Sequence, residues 1–382
     1  MPDQEVIMAN QTRAAIILAV LFLAACSSPQ KPIDQPPTLT EAAINPEPTR
    51  TATPLPPPPT KFPTVTPLPS SETPEPIQPS PIPEIIELGE PFPLLLPGSE
   101  INLNYVELVT KDMGWGIAPG ADGIGHILRT DDGGDTWREV SPPQPLTPYS
   151  FVLEPAVHFH TPDYGWASYS GTDLIWTTRD GGRTWQPFRL EFTAEPYGGL
   201  IHSLDGNQVW FFQFVGYGMQ KINTTVYSSQ DGGITWTKLL DPYSDFIIQG
   251  FEKTGVEFIN AQYGWLTRDF WGVVSYPTLE ITKDGGKVWE SIDIPPPPSA
   301  SDLYNNCMCA LHDPRLFSEK VGSLRMSCKC GSSDSPYIKS YLYSTSDGGD
   351  SWEVEYIPEG DLHYISPRIF YVIGREIYRS ED

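Results

Sequence analysis

Thr130-Asp131-Asp132-Gly133-Gly134-Asp135-Thr136-Trp137 is the stretch that decides the fold, because the chain repeats it four more times. The copies are Thr178-Arg179-Asp180-Gly181-Gly182-Arg183-Thr184-Trp185, Ser229-Gln230-Asp231-Gly232-Gly233-Ile234-Thr235-Trp236, Thr282-Lys283-Asp284-Gly285-Gly286-Lys287-Val288-Trp289 and Thr345-Ser346-Asp347-Gly348-Gly349-Asp350-Ser351-Trp352. Successive tryptophans lie 48, 51, 53 and 63 residues apart. That is the period of a small four-stranded sheet repeated around an axis. Asp-Gly-Gly between β-rich runs supplies positive φ for a hairpin turn, and the Asp and Ser/Thr side chains bond turn amides that the ladder leaves free. The Trp opens the next strand and buries its ring. The alternative for so many Asp-Gly pairs, a calcium loop, requires acidic ligands at alternating positions and a closing Glu.

A second phrase precedes each box: Met113-Gly114-Trp115-Gly116, Tyr164-Gly165-Trp166-Ala167, Val209-Trp210-Phe211 and Tyr263-Gly264-Trp265-Leu266, with Val321-Gly322-Ser323-Leu324 in the fifth unit. It reads as a turn into the second strand, so each unit is strand, turn, strand, loop, strand, Asp-Gly-Gly turn, strand. After the fifth box come Leu362-His363-Tyr364-Ile365, Arg368-Ile369-Phe370-Tyr371-Val372 and Glu376-Ile377-Tyr378, then Ser380-Glu381-Asp382, half of a sixth box. The expected fold is an all-β propeller of six blades, seven being the alternative. Its last blade is closed by an N-terminal strand at Glu84-Ile85-Ile86-Glu87-Leu88, since an open edge invites aggregation.

The repeat resembles the Asp box of bacterial neuraminidase repeats, which assigns the structural roles to Asp132 and Trp137, Asp180 and Trp185, Asp231 and Trp236, Asp284 and Trp289, and Asp347 and Trp352. Over residues 101–382 the Gly-Trp phrase followed by Asp-Gly-Gly-x-Thr-Trp is most similar to the photosystem II stability and assembly factor family. That resemblance implies a non-catalytic propeller that binds a protein during membrane-complex assembly.

Residues 84–382 form the propeller, and what precedes it has a different composition. The short apolar run Ile16-Ile17-Leu18-Ala19-Val20-Leu21-Phe22 ends in Leu23-Ala24-Ala25-Cys26-Ser27-Ser28, which resembles a bacterial lipobox with Cys26 as the lipidated residue. Residues 1–26 are read as a lipoprotein signal, with Met8 as the plausible start. Residues 27–83, with runs such as Pro56-Pro57-Pro58-Pro59, bury too little apolar surface to fold and are read as a Pro/Thr/Ser-rich spacer. The expected location is the bacterial cell envelope, lipid-anchored on the outer side of a membrane. The formal charge is -24, and residues 98–382 retain 20 basic against 38 acidic side chains, a balance of -18. Such a surface repels nucleic acid.

The other cysteines form Cys307-Met308-Cys309 and Cys328-Lys329-Cys330, with a hairpin turn at Ser318-Glu319-Lys320-Val321-Gly322 between them. Residues two apart share a strand face, so folding about that turn opposes the pairs. Two disulfides, most simply Cys307 with Cys330 and Cys309 with Cys328, suit an oxidising exterior. A four-thiolate zinc site is the alternative. No other metal or cofactor is expected.

Sialidases share this architecture but use three arginines, a Tyr assisted by Glu, an Asp acid and an Arg-Ile-Pro phrase. Here Pro367-Arg368-Ile369 has those letters in another order, Arg129 falls beside a box at the rim, and Arg268, Arg315 and Arg325 have no spacing that brings them together. Asp269, Glu280 and Asp302 are available acids without a telling neighbourhood. No nucleophile elbow or zinc-protease His pair occurs. Recognition is expected on long loops between second and third strands, at Tyr217, Arg268, Asp269, Phe270 and Trp271, with loop 143–155 a weaker candidate. The expected function is thus a monomeric, non-catalytic surface lipoprotein that binds a protein or glycan. An extracellular glycoside hydrolase is the alternative.

Overall fold

The structure, a computed structural model, describes residues 95–120, 123–143, 155–191, 194–218, 221–243, 252–269, 277–332, 335–374 and 377–380. Cys26, the 27–83 spacer, Glu84–Leu88, Phe270, Trp271 and most of loop 143–155 lie outside the described residues.

The chain is a six-bladed β-propeller whose sheets follow one another in sequence. Blade 1 comprises β1 (Tyr105–Leu108), β2 (Gly114–Pro119), β3 (Gly125–Thr130) and β4 (Arg138–Glu139). Blade 2 comprises β5 (Pro155–Thr161), β6 (Tyr164–Tyr169), β7 (Leu174–Thr178) and β8 (Gln186–Arg189). Blade 3 comprises β9 (Pro196–Ser203), β10 (Val209–Gly218), β11 (Lys221–Ser229) and β12 (Thr237–Leu240). Blade 4 comprises β13 (Lys253–Phe258), β14 (Gly264–Arg268), β15 (Thr278–Thr282) and β16 (Glu290–Asp293). A one-turn helix, α1 (Leu303–Asn306), leads into blade 5, with β17 (Cys307–Leu316), β18 (Gly322–Ser332), β19 (Ser335–Thr345) and β20 (Glu353–Ile357). Blade 6 shows β21 (Asp361–Tyr364), β22 (Phe370–Ile373) and β23 (Ile377–Arg379), so among the described residues it has three strands.

The five Asp-Gly-Gly turns share one hydrogen-bond scheme, except that Val288 in the fourth caps Asp284 through its N–H alone. In the first, Thr130 Oγ1 accepts from Gly134 N at 2.8 Å and donates to Asp132 Oδ1 at 2.8 Å. Thr136 then caps the carboxylate, its N–H donating to Oδ1 at 2.9 Å and its hydroxyl to Oδ2 at 2.6 Å. Both glycines of every copy have φ between +71° and +101°, a region closed to most side chains. These bonds to the ionised form hold the Asp132 and Asp347 carboxyls down to about 2, led by Thr136 and Ser351 respectively.

The two repeated phrases meet across blade boundaries. Trp166 Nε1 donates to the carbonyl of Gly232 in the next blade at 3.1 Å, and Trp210 Nε1 to that of Gly285 at 2.9 Å. Trp210 and its blade 1 counterpart Trp115 also stack on the next inner strand, Trp115 on Phe159 at 3.4 Å and Trp210 on Phe258 at 3.7 Å. The glycine before the Trp is therefore not a turn residue, as the sequence suggested, but lies within or at the start of the second strand. A Cβ at Gly264 would stand 2.6 Å from the Phe258 ring, and one at Gly165 would stand 2.2 Å from Phe159. Glycine is chosen there for space, and the seams are packed aromatic layers.

Arg129 is likewise not a rim group. Its side chain is buried, donates to Pro162 O of blade 2 and to Asp131, and lies over the Trp115 ring at 5.1 Å. It ties blade 1 to blade 2.

The cysteines form the two disulfides Cys307–Cys330 and Cys309–Cys328, between residues directly opposite on β17 and β18. Their sulfurs enter the core shared with Leu279, Ile294, Leu303 and Leu311.

Candidate functional site

Arg268 ends β14 but turns into the blade rather than out of it. Its guanidinium pairs with Glu280 at 3.3 Å and donates to the Thr278 hydroxyl, while Ser291 Oγ donates to the other Glu280 oxygen at 2.5 Å. Lys253, directly across from Arg268 on β13, is 2% exposed. Burial, aided by the Arg268 charge and opposed by Glu280, pushes its ammonium down to about 7. These groups form a buried network inside blade 4, where each charge is tied to another. Glu280 is thereby engaged structurally, and Asp302 accepts from Asn306 Nδ2 at 3.2 Å at the start of α1. Tyr217 follows a bulge in β10, opposite Ile222.

A set of residues that the motifs did not reveal lies on the inner strands. The residue paired with the second-strand Trp position is Glu107, His158, His202, Glu257, Arg315 and His363 in blades 1 to 6. Each stands eight residues before its partner, so the signal was present in the sequence as one titratable residue per repeat. His202 Nε2 accepts from Phe258 N at 3.1 Å, which leaves its proton on Nδ1. Burial, with the His158 charge second, lowers His202 to about 3, and burial with His160 lowers His158 to about 4. Both are neutral imidazoles at physiological pH. Glu257 moves the other way. Burial raises it to about 7 against the pull of Arg315, whose Nη1 is 3.3 Å from its Oε1.

The charges thicken at the seam between blades 5 and 6, where Ser323 stands in place of the indole found in blades 1 to 4. Tyr364, from the inner strand of blade 6, fills the gap, and its hydroxyl accepts from Ser323 Oγ at 2.7 Å. Burial raises the Tyr364 hydroxyl, and among the charges acting on it Asp313 raises it while Arg315 and Arg325 lower it. Arg325 Nε donates to Asp313 at 2.7 Å and Nη1 to Gly360 O at 2.8 Å. Asp313 is the one described non-glycine residue with positive φ, +50°, in a bulge where Asp313 and Pro314 together oppose a single residue of β18. The bulge drives Pro314 against Gly255 of blade 4, where a Cβ would be 2.5 Å from its Cδ. Asp269 also reaches this cluster electrostatically, opposing the fall that burial and then Arg325 impose on the His312 imidazole.

Of the three arginines singled out in the sequence, Arg315 and Arg325 converge on Tyr364 and Arg268 does not. Arg315 is 52% exposed and Asp313 41%, so the inner wall presents charges of both signs to solvent. Such a wall can bind an ionised group, and Glu257 could exchange a proton near neutrality. Among the described residues no group of three or more His, Cys, Asp or Glu side chains is arranged to hold a metal ion.

No family model matches the chain, and no curated protein matches it. Among solved structures it is similar to YCF48 bound to a D1 peptide, at 14% identity over 72% of this chain and 91% of that one, with a TM-score of 0.38. It is also similar to the GH74 enzyme of Niastella koreensis, at 13% identity over 72% of this chain and 54% of that one, with a TM-score of 0.38. A polysaccharide lyase, the PL25 ulvan lyase, gives 10% identity over 72% and 79% of the two chains and a TM-score of 0.44. At these scores the likenesses carry no argument about ligand or chemistry, and the assignment of a six-bladed propeller rests on the chain's own sheets.

Proposed function

We propose that this chain is a non-catalytic, surface-displayed lipoprotein whose propeller binds a protein or glycan partner, with the inner wall of blades 4 to 6 as its contact surface. The observation that carries this reading is Arg315. It is half exposed, and its neighbour Glu257 is protonated in part at neutral pH, so its donors are incompletely matched within the fold. Glu280 and Asp302, two of the acids available to a hydrolase, are bound to neighbouring side chains instead. In this reading Cys26 carries the lipid and residues 27–83 are the tether, reaching roughly 3 Å per residue where extended.

The alternative reading, a glycoside hydrolase, is favoured by one observation, the elevated Glu257 carboxyl beside a cation. A parallel screen of the mature chain on a glycan array, a peptide array and chromogenic glycosides separates the two. Binding that weakens in Arg315→Ala without turnover is the expected result. Turnover that disappears in Glu257→Gln would overturn the non-catalytic reading. Labelling with a fatty acid, lost in Cys26→Ala, tests the anchor.

A further inference from the structure

Blade 5 is longer than its neighbours in one direction only. β17, β18 and β19 run 10, 11 and 11 residues, against 6, 5 and 5 for the matching strands of blade 4. β20 pairs only with Ser340–Ser344. Beyond Ser340 the sheet therefore continues as three strands, and Ser335–Lys339 has no outer neighbour among the described residues. Both disulfides sit in this extension, on the face that packs against Ile294 and Leu303. The two bonds cross-link its first two strands, while its third strand has no outer neighbour among the described residues.

The surface of the extension differs from the rest of the chain. Met308, Lys329 and Ile338 are successive cross-strand partners and lie side by side on the face opposite the disulfides, with Met308 46% and Ile338 38% exposed. On the other face Tyr337 is 52% exposed, with Lys339 Nζ 5.8 Å from its ring centroid. This end carries Lys329 and Lys339 against one acid in sequence, Asp334 between β18 and β19, a positive balance in a chain whose net charge is -24. The backbone is also oriented for a guest. The cysteine pairs, with Cα separations of 4.3 and 4.0 Å, have the spacing of non-hydrogen-bonded pairs, which turns the Cys328 and Cys330 amides toward β19. Tyr337 and Lys339 answer them, so Ile338 directs its N–H and C=O to the open side, where Pro336 offers a carbonyl but no donor.

We propose that this disulfide-braced end of blade 5 is a docking edge for an extended acidic segment of a partner protein, which adds beside β19 as the fourth strand that β20 does not supply. Alternation in the guest places apolar side chains beside Ile338 and carboxylates beside Lys339. Pro336 limits the added ladder to a few bonds, so the lysines and the exposed apolar groups must contribute much of the affinity. The proposal stands apart from the inner wall of blades 4 to 6 and does not depend on it.

The test uses the whole mature chain and two synthetic peptides, one alternating Val and Glu and one alternating Val and Lys, with anionic lipid vesicles as a third probe. The Val-Glu peptide should bind and should slow amide exchange at Ile338. Lys329→Glu with Lys339→Glu should weaken it by on the order of tenfold or more. Ile338→Pro should abolish binding while the thermal transition stays in place, and Arg315→Ala should leave it unchanged. Equal binding of the Val-Lys peptide, no peptide binding, binding to vesicles alone, or binding indifferent to the lysine and Ile338 changes would each overturn the proposal. So would an Ile338 amide already protected in the free protein, because the edge would then be occupied by the chain itself.

Discussion

Replacing Glu257 by Gln tests whether the inner wall holds a neutral carboxyl. In the folded protein the group titrates near about 7 instead of its ordinary 4.5, mainly because burial disfavours the ion. At about 1.4 kcal/mol per pH unit, that difference makes the ionised side chain cost the fold about 3 kcal/mol. The folded chain therefore holds a proton that the unfolded chain has released. Stability from this group falls as pH rises from 4.5 through 7, and the full cost is present above that range. Gln keeps an oxygen that can accept from Arg315 and carries no charge. Urea unfolding midpoints at about pH 3.5 should match for the two proteins, whereas at about pH 8.5 the variant should be more stable by up to ~3 kcal/mol. His158 and His202 act in the opposite sense. Their folded values lie below the ordinary 6.5, so their contribution is complete above 6.5 and is lost as pH falls through about 4 and 3. The wild-type profile alone thus mixes the two trends, and the difference between wild type and variant isolates Glu257. A difference that is the same at both pH values, or a variant that is less stable at the higher pH, would refute the argument.

Four further outcomes are expected. Gly264→Ala places a methyl 2.6 Å from the Phe258 ring and should cost about 1–3 kcal/mol in denaturant unfolding, more than alanine costs at an exposed strand position. Tyr364→Phe strips the partner from Ser323 Oγ, which is 1% exposed, and should cost about 1–3 kcal/mol, whereas Ser323→Ala combined with it should cost less than the two changes summed. Thiol titration of the denatured propeller should find residues 307, 309, 328 and 330 unreactive before reduction and reactive after it; reactivity on chelation alone would favour the zinc reading. Asp132→Asn should flatten the acid limb of the stability profile, because the lowered carboxyl contributes above its unfolded value near 4 and loses that contribution as pH falls toward about 2.

Glu280 and Glu257 show why the candidate site was harder to read than the fold. Both are acids on blade 4, and nothing local separates them. Glu280 lies on β15 beneath Arg268 and Ser291, and is spent in that network. Glu257 lies on β13, where the neighbour that matters is Arg315, 58 residues away in the next blade. Neither pairing follows from spacing along the chain, since strand registers of adjacent blades are set by how the sheets pack. The eight-residue offset to the Trp position was legible, but its meaning appears only once the inner strands are side by side.

Short-range chemistry along the chain specified the blade and its repetition. An Asp-Gly-Gly turn closes its hydrogen bonds within seven residues, and a cysteine pair two apart shares a face whatever surrounds it, so local chemistry was enough to specify the turn and to suggest the cross-strand disulfides. The tertiary structure alone decided what each conspicuous side chain does. Arg129 became a buried tie between blades, the Gly-Trp glycines became clearance for a neighbouring ring, and the missing indole at Ser323 became a polar seam filled by Tyr364. For Arg129 and Ser323 the deciding partner comes from another blade, and for the glycines from the adjacent strand, and burial, which converts a charge from a solvated group into a constraint, is a property of the packed sheets and not of any one segment.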